Sequence, residues 1–484
     1  MSFVAGITPG EKMNTSALKY KSEIDNYIEA HREEYIKELA ELCSINSEKA
    51  AAKDGAPYGE GAAQCLTKAL GMAGAYGFKV KNYKGYVGTA DLDSALPPRL
   101  DILAHLDVVP AGSGWNVCEP FSPVVKGGRI YGRGTSDDKG PALAALYAMR
   151  AVKELGIPLK GNVRLILGCD EECGSSDIEY YYKTEKAAPM TFSPDSEFPV
   201  VNIEKGRLHG KLERKFTPGA ASADISAEAG IKVNVVPAQA QARITGIGED
   251  GVRAAAAAAA EQTKITFALK DQAGGIIVHA KGRGAHASTP EAGCSALTGL
   301  LVFISLLPGA SQAKQAAEDL LALFPHRDTL GEALGVKLSD EISGSLTLAL
   351  SMLRLDKTGL SAEFDCRMPI CAAAAGTPAL IQKKCKAAGF SFSTEAFTEA
   401  HYVPADSLFI KVLLSSYEAI TGRPGECIAT GGGTYVHEIE NGVAFGAVMP
   451  GTNTRMHGPD EFAVISELMS AAKIYALAIA QLCG

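Results

Sequence analysis

Side chains that can hold a metal ion or move a proton recur at the ends of predicted strands along this chain. They occur in five short stretches: AHLDVVP, GRGTSDDKGP, GCDEECG, SPDSEFP and PGTNTRMHGPDE. Converging carboxylates repel one another and raise one another's pKa values unless cations compensate them. Imidazole nitrogens and carboxylate oxygens together suit zinc, cobalt or manganese, and two such ions need a bridging carboxylate. These residue types therefore predict a metal centre.

The stretch LILGCDEECGSS, residues 165–176, raises the question of charge most sharply. It places Asp170, Glu171 and Glu172 directly after a run that predicts a buried strand. Burying a lone carboxylate is costly unless a cation or a set of donors compensates it. On this stretch alone, a solvated turn explains the three acids as well as a functional site does.

His105 and Asp107 form the second notable pair. They are two residues apart, so on an extended strand both side chains face the same way. Asp107 can then orient the imidazole of a metal-bound His105, a common arrangement around metal ligands. Taken singly, a histidine at a strand end is more often structural and an aspartate in a turn is more often a cap. The joint occurrence of these residues at one sheet edge favours the metal centre.

Strands and helices must position these side chains. Strand-like and helix-like segments alternate up to about residue 204, which predicts an α/β catalytic domain with a mixed sheet and helices on both faces. The first long helical pattern, EIDNYIEAHREEYIKELAELCSI, predicts one amphipathic helix. Ligands of such folds bind beyond the carboxyl ends of the strands, where HLD and DEE both fall.

The pattern changes between residues 205 and 400. Short β-like pieces and an alanine run at 254–260, which predicts a helix, indicate a separate α+β domain inserted into the first. After residue 400 the α/β pattern returns. We therefore expect a catalytic domain in two segments, 1–204 and 401–484, and an inserted lid domain over 205–400.

Composition limits the partners and the compartment. The net charge is −8 and no basic run occurs, which argues against nucleic acid as a partner. No apolar window is long enough to predict a membrane span. Eleven scattered cysteines fit a reducing compartment, and the first residues lack the pattern of a signal peptide. We expect a cytoplasmic protein that acts on a small polar substrate.

The motifs also carry a family resemblance. HLDVVPAG, GRGTSDDKGP, DEECG, SPDSEFP, GRGAHASTPEAG and MHGPDE, in this order and spacing, resemble the dinuclear zinc metallopeptidase family of carnosine dipeptidases, aminoacylases and desuccinylases. SPDSEFPVVNIEKG and the stretch from GGGTYVHE to MHGPDE most resemble its bacterial Xaa-His dipeptidase branch, which is dipeptidase V-like. The resemblance spans nearly the whole chain. It implies a metal-dependent dipeptidase with two divalent ions. Zinc is the expected metal, and manganese and cobalt are the alternatives.

The resemblance also assigns roles to the acidic and histidine side chains. It implies five metal ligands. His105 and Asp195 are terminal ligands of one ion, Glu172 and His457 are terminal ligands of the other, and Asp137 bridges the two ions. Glu171 matches the general base, which takes a proton from the attacking water and passes it to the leaving amine. Asp138 is implied to be a neighbour rather than a ligand.

In the inserted domain, the resemblance implies three substrate contacts. His286 in GRGAHASTP is expected to stabilise the tetrahedral oxyanion, with Asn234 in KVNVVP assisting it. Arg367 in DCRMP is expected to hold the substrate carboxylate by a two-pronged hydrogen bond. The length of this domain is compatible with a monomer that contains a mimic of the family dimer, and a homodimer is the alternative.

Three other functions stay open. An N-acyl amino acid deacylase of the same family would use the same site, because amide hydrolysis does not depend on what lies beyond the carbonyl. A non-catalytic binding homologue should have lost a ligand or the base, and here those positions are filled. A nucleotide enzyme could use the glycine-rich GGGTY, but this stretch lacks both phosphate-binding frames, G-x-x-x-x-G-K-[ST] and G-x-G-x-x-G.

Overall fold

The computed structural model describes residues 14–217, 224–272 and 274–484. The first thirteen residues, whose pattern argued against a signal peptide, lie outside this part of the chain. All eleven cysteines lie within it, and all of them are free thiols.

The chain divides into two compact units. The first unit comprises Met1–Ile203, Tyr402–Ile428 and Gly433–Gly484, and the second comprises Glu204–His401 and Ala429–Gly432. The short segment Ala429–Gly432 groups with the second unit, although the sequence pattern assigned all of 401–484 to the catalytic domain.

A mixed sheet forms the centre of the first unit. Seven of its strands follow one another across the sheet in the order Lys79–Tyr83, Val87–Asp91, Asn162–Gly168, Pro98–His105, Met190–Ser193, Gly442–Ala444 and Val200–Glu204. The four central strands of this order pair in parallel, and the flanking strands pair with them in antiparallel fashion. Parallel strands need crossover connections, which here contain helices.

Apolar side chains cover both faces of this sheet. One face packs Ile102 and Leu165 into the large core, and the other packs Leu103 and Ile166 against the helix Ser176–Tyr181. The helices of the unit are Lys21–Ala30, Arg32–Cys43, Glu60–Ala75, Lys139–Glu154, Ser176–Tyr181, Leu408–Thr421 and Ile465–Cys483. Alternating residues of each strand point to opposite faces, which explains why one strand contributes to both clusters. The predicted α/β class with helices on both faces is confirmed.

The helix Ile465–Cys483 is the longest in the first unit. Among the described residues it alone is long and apolar enough to cross a membrane, but 78% of its apolar window is buried within the protein. It packs against Lys139–Glu154, whose residues are also largely buried. Burial in the protein core therefore explains why this helix is apolar on nearly all sides.

The predicted single helix at the N-terminal end is wrong in one respect. His31 separates Lys21–Ala30 from Arg32–Cys43, with φ −100° and ψ 9°. Its imidazole Nδ1 lies 2.8 Å from the carbonyl of Tyr27, and the two rings stack. This local contact competes with a regular helical turn, and the apolar spacing on either side does not reveal it.

The second unit is an α+β domain, as predicted. Its sheet has eight antiparallel strands, in the order Thr266–Gln272, Gly275–Lys281, Gln239–Thr245, Asp224–Ala229, Thr347–Asp356, Gly359–Met368, Gly206–Lys215 and Ser391–Thr398. Its helices are Glu249–Thr263, Ala296–Leu306, Gln312–Leu323 and Thr377–Ala387. The first of these contains the alanine run, so that predicted helix is confirmed. Beside the sheet, Val235–Val236 pairs with Ala285–His286 in a two-stranded ribbon.

Candidate metal centre

Three neighbouring parallel strands of the first unit end at one sheet edge. Pro98–His105 lies between Asn162–Gly168 and Met190–Ser193, and His105 is in register with Gly168. The carboxyl ends of parallel strands meet at the same edge, so the residues that follow them are brought together. His105 ends the central strand, and the acids of DEE and SPDSEFP follow the other two. This confirms the predicted location of the acidic stretches.

His105 is fully buried and its ring orientation is fixed. Its Nδ1 donates to the backbone carbonyl of Asp107 at 3.0 Å, which directs Nε2 toward the carboxylates. The Asp107 carboxylate lies farther away, 3.5 Å from Nδ1. Asp138 Oδ2 accepts the backbone N–H of His105 at 3.1 Å. These contacts hold His105 in the tautomer that a metal ligand needs.

The Asp107 carboxylate mainly holds another element. Its two oxygens accept the backbone N–H groups of Glu171 and Glu172, at 3.2 and 3.1 Å. The Asp107 carbonyl is the nearer acceptor for His105 Nδ1, and an orienting role of the carboxylate on the imidazole stays a prediction. Asp107 therefore links the end of one strand to the turn that follows the next.

Asp137 lies between the two histidines. Its Oδ1 is 3.0 Å from Nε2 of His105, and its Oδ2 is 2.8 Å from Nε2 of His457. Asp137 lies two residues before the helix Lys139–Glu154 and directly before its N-cap Asp138, so the start of a helix sets its position. A carboxylate that presents one oxygen to each of two imidazoles has the geometry needed to bridge two ions.

The remaining acidic groups lie around these three residues. Glu172 Oε1 is 3.2 Å from His457 Nε2, and Asp195 Oδ2 is 3.8 Å from His105 Nε2. Two sets of ligand atoms each lie within 4.8 Å of one another: His105, Glu171 and Asp195, and His105, Asp137 and Glu172. The structure thus brings together all the residues that the sequence analysis assigned to the metal centre.

The carboxylates of this cluster perturb one another strongly. Burial and the charge of Asp137 raise the pKa of Asp195 to about 7. Burial likewise raises the pKa of Glu171 well above its ordinary value, with Asp195 and Glu172 adding to the effect. Hydrogen bonds to Asp137 and Glu172 raise the pKa of His457 to about 10. So many acids in a buried site are best compensated by divalent cations.

Buried atoms without hydrogen bonds support the same conclusion. Apart from their ion-pair contacts with Asp137 and His457, the fully buried atoms His105 Nε2 and Glu172 Oε1 have no hydrogen-bond partner among the described residues. Buried polar atoms are otherwise almost always satisfied, so these two are suited to bind a ligand. Imidazole nitrogen and carboxylate oxygen form the donor set of zinc, manganese and cobalt sites, so the residues fit such ions.

Sequence reasoning did not find the buried ion pair that holds the Asp137 loop. Glu461 Oε2 lies 2.5 Å from Arg133 Nη1, and both side chains are almost fully buried. Glu461 Oε1 accepts the backbone N–H groups of Gly134 and Ser136, at 3.1 and 3.0 Å. Gly134 has φ +86°, a conformation that favours glycine. Glu461 is the last residue of the motif MHGPDE, which drew attention to it. Its partner Arg133 is too distant along the chain to be identified from the sequence.

A second missed contact supports the turn before Glu171. The hydroxyl of Tyr435 donates to Asp177 Oδ2 at 2.5 Å, and the same oxygen accepts the backbone N–H of Asp170 at 2.9 Å. A Cβ on Gly168 would lie 2.1 Å from the Tyr435 hydroxyl oxygen. Only glycine therefore fits at the end of that strand.

In the second unit, the structure brings His286 and Asn234 together. His286 pairs with Val235 across the ribbon, and the carbonyl of Asn234 accepts the backbone N–H of Ala287 at 2.9 Å. The His286 ring is exposed, and its Nδ1 accepts the backbone N–H of Ser288 at 3.2 Å. The same Nδ1 lies 2.6 Å from the Ser288 hydroxyl oxygen; in the neutral tautomer whose Nδ1 accepts from Ser288, the proton is on Nε2 and can be donated to an oxyanion.

Arg367 lies in the same unit and is only 3% exposed. Its guanidinium binds both oxygens of Asp365, with 2.6 Å from Nε to Oδ1 and 2.8 Å from Nη2 to Oδ2. This ion pair is therefore buried and does not lie on the surface. No motif pointed to Asp365, which lies two residues earlier on the same strand.

Comparisons with known proteins agree with this geometry. A putative dipeptidase, YtjP, of Bacillus subtilis (strain 168) is 33% identical over 458 residues, which cover 93% of this chain and 97% of that protein. A Beta-Ala-Xaa dipeptidase of Lactobacillus delbrueckii subsp. lactis is 35% identical over 466 residues, covering 94% and 97%. The structure of human carnosine dipeptidase 1 aligns with a TM-score of 0.58 at 16% identity, over 96% of this chain and 98% of that one, and shares the fold.

A family model supports the same assignment over most of the chain. The model for Peptidase family M20/M25/M40 matches residues 102–481, a range that contains all the side chains of the metal centre. The family predicted from the motifs is confirmed. With this match and relatives more than 30% identical over nearly their whole length, the chain belongs to Peptidase family M20/M25/M40 and is a metallopeptidase that acts on peptide bonds.

Proposed function

We propose that this protein is a cytoplasmic dipeptidase that uses two divalent metal ions. The observation that carries the proposal is the position of Asp137, whose two carboxylate oxygens each face one imidazole, that of His105 and that of His457. The names of its relatives, a putative dipeptidase and a Beta-Ala-Xaa dipeptidase, support a dipeptide as the substrate.

The five ligands of the proposed centre divide into two sets. His105 and Asp195 would hold one ion, Glu172 and His457 would hold the other, and Asp137 would be the ligand shared by both. Two divalent ions, zinc or alternatively manganese or cobalt, would polarise the scissile carbonyl and increase the acidity of a water molecule. The burial of His105 Nε2 and Glu172 Oε1, whose near neighbours are other proposed ligands, supports this assignment.

Glu171 is the proposed general base. Its carboxylate takes a proton from the attacking water and passes it to the leaving amine. Burial and neighbouring carboxylates favour its protonated form, and the charge of His105 opposes them. The backbone N–H of Glu171 is held by Asp107, so the position of the base is fixed relative to the end of the central strand.

The second unit supplies the proposed substrate contacts. His286 donates from Nε2 to the oxyanion of the tetrahedral intermediate, Asn234 assists it, and Arg367 binds the substrate carboxylate. The tautomer of His286 set by Ser288 supports the first role. The cytoplasmic location is supported by the eleven free thiols, which suit a reducing compartment.

A hydrolysis panel tests the proposal. Purified protein is assayed on β-Ala-His, Ala-His, Leu-Gly, a tripeptide and N-acetyl amino acids, with zinc, manganese or cobalt added in turn and with chelator. Cleavage of dipeptides that depends on added metal is the expected result. Cleavage of N-acetyl amino acids alone would identify a deacylase instead, and a panel with no cleavage under any metal would contradict both.

A further inference from the structure

A buried carboxylate joins a histidine and an arginine in the second unit. Asp365 is fully buried, and its Oδ2 lies 3.0 Å from Nε2 of His209 and 2.8 Å from Nη2 of Arg367. His209 is directly opposite Asp365 on the neighbouring strand Gly206–Lys215. Burial alone would raise the pKa of Asp365, but hydrogen bonds from His209 and Arg367 lower it. The carboxylate therefore stays charged and keeps both partners in place.

The hydrogen bonds of Arg367 leave part of its guanidinium for a ligand. Nε and Nη2 donate to Asp365, and Nη1 donates to the carbonyl of Gly431 at 2.5 Å. A guanidinium has five N–H groups, so one N–H on Nη1 and one on Nη2 remain. A carboxylate can accept a hydrogen bond from each of them. Because three contacts hold the group, its remaining donors have a fixed direction.

Arg367 is also connected to the loop that carries His286. A Cβ on Gly431 would lie 2.6 Å from Cβ of Ser288, so the loop that binds Arg367 touches the residue that binds His286. Thr347, opposite Arg367 on the adjacent strand, donates to the carbonyl of Ala287. Two separate contacts thus place Arg367 and the His286 loop against the same part of the second unit.

We propose that Asp365 and His209 are positioning residues that determine the preference of this enzyme for substrates with a free α-carboxylate. They hold the guanidinium of Arg367 so that its remaining N–H groups donate to that carboxylate. This inference rests on the proposed dipeptidase function. An enzyme with this device cleaves dipeptides and discriminates against the same dipeptides when the carboxylate is converted to an amide.

The test compares Ala-His with its C-terminal amide in wild type, Asp365→Asn, His209→Ala and His209→Gln. Wild type should favour the free acid. Asp365→Asn should lower this preference about tenfold or more, through a higher KM for the free acid, because the lost contact involves two charges. His209→Ala should lower it less, and His209→Gln, which retains a donor, should restore it. Asp356→Asn is the matched control, because this half-buried carboxylate lies at the turn of the same hairpin, away from Arg367.

The outcomes separate this inference from the function on which it rests. A purely structural role would lower the thermal midpoint of Asp365→Asn and leave the acid-to-amide preference unchanged, and that result overturns the inference alone. If Asp365→Asn does not fold, the two His209 variants provide the test. The proposal is contradicted if His209→Ala and His209→Gln show the same acid-to-amide preference. A wild type that cleaves neither substrate overturns the dipeptidase function and the inference with it.

Discussion

The guanidinium of Arg133 and the carboxylate of Glu461 lie 2.5 Å apart and are both buried, although 328 positions separate them along the chain. The second oxygen of Glu461 accepts two backbone N–H groups of the loop that leads to Asp137. A carboxylate that binds three donors from one loop restricts the conformation of that loop. The position of the proposed bridging ligand therefore depends on a residue near the other end of the sequence.

Replacing Glu461 tests this dependence. Glu461→Ala leaves Arg133 buried without a counter-ion and frees two backbone N–H groups, so we expect a loss of about 3–5 kcal/mol in the free energy of unfolding. We also expect weaker binding of cobalt, followed by its absorption spectrum during titration. Glu440→Ala is the control, because Glu440 is exposed. Unchanged cobalt affinity in a folded Glu461→Ala protein would show that the pair is structural only.

Glu171→Gln tests the proton-transfer role. The amide keeps the shape of the side chain but cannot take a proton, so kcat for dipeptide hydrolysis should fall by a factor of about 10²–10⁴. The metal content should stay at the wild-type value, because the proposed ligands are untouched. Glu179→Gln, at an exposed position on the helix that follows, should retain wild-type activity. A Glu171→Gln enzyme with normal kcat would contradict the assignment of the base.

Asp137→Ala tests whether one carboxylate serves both ions. Since each of its oxygens faces a different histidine, its removal should abolish both sites rather than one. Wild type should gain about 4 kcal/mol of stability at a metal concentration a thousand times the dissociation constant, and the variant should gain far less. Metal content by elemental analysis and the thermal midpoint with and without zinc are the measurements. One tightly bound ion remaining per Asp137→Ala chain would rule out the bridging role. Asp54→Ala, at an exposed position, is the control.

The sequence was informative where function follows from local periodicity. His105 and the DEE acids were placed at one edge because buried parallel strands have recognisable patterns and a known polarity. The register of His105 with Gly168 agrees with that expectation. The family motifs then supplied the identity of the ligands, which periodicity cannot give.

The sequence was uninformative where a contact is distant or the backbone is unusual. The contacts of Glu461 and of Asp365 join residues on different elements, and single-sequence patterns carry no signal for such pairs. His457 has φ +63°, a left-handed conformation that is uncommon for residues other than glycine, so its direction could not be read from a regular element. Asp107 was assigned to His105 by strand alternation, but its carboxylate binds the turn of Glu171 and Glu172.

Tyr435→Phe tests whether the Tyr435 hydroxyl helps to position the turn that carries Glu171. The Tyr435 hydroxyl donates to Asp177, whose same oxygen accepts the N–H of Asp170 directly before Glu171. Removing the hydroxyl leaves a buried carboxylate oxygen with one donor fewer, which should cost about 1–3 kcal/mol of stability. Because Asp170 adjoins the proposed base, kcat should fall while the KM for dipeptides changes little.

Tyr182→Phe is the matched control for this substitution. The Tyr182 hydroxyl is also buried, but it has no hydrogen-bond partner among the described residues, so its removal should leave stability unchanged or increase it. The comparison holds the chemical change and the burial constant and varies only the bond to Asp177. If both variants lose the same stability and activity, the effect belongs to the loss of a buried hydroxyl in general, and Tyr435 has no specific part in positioning Glu171.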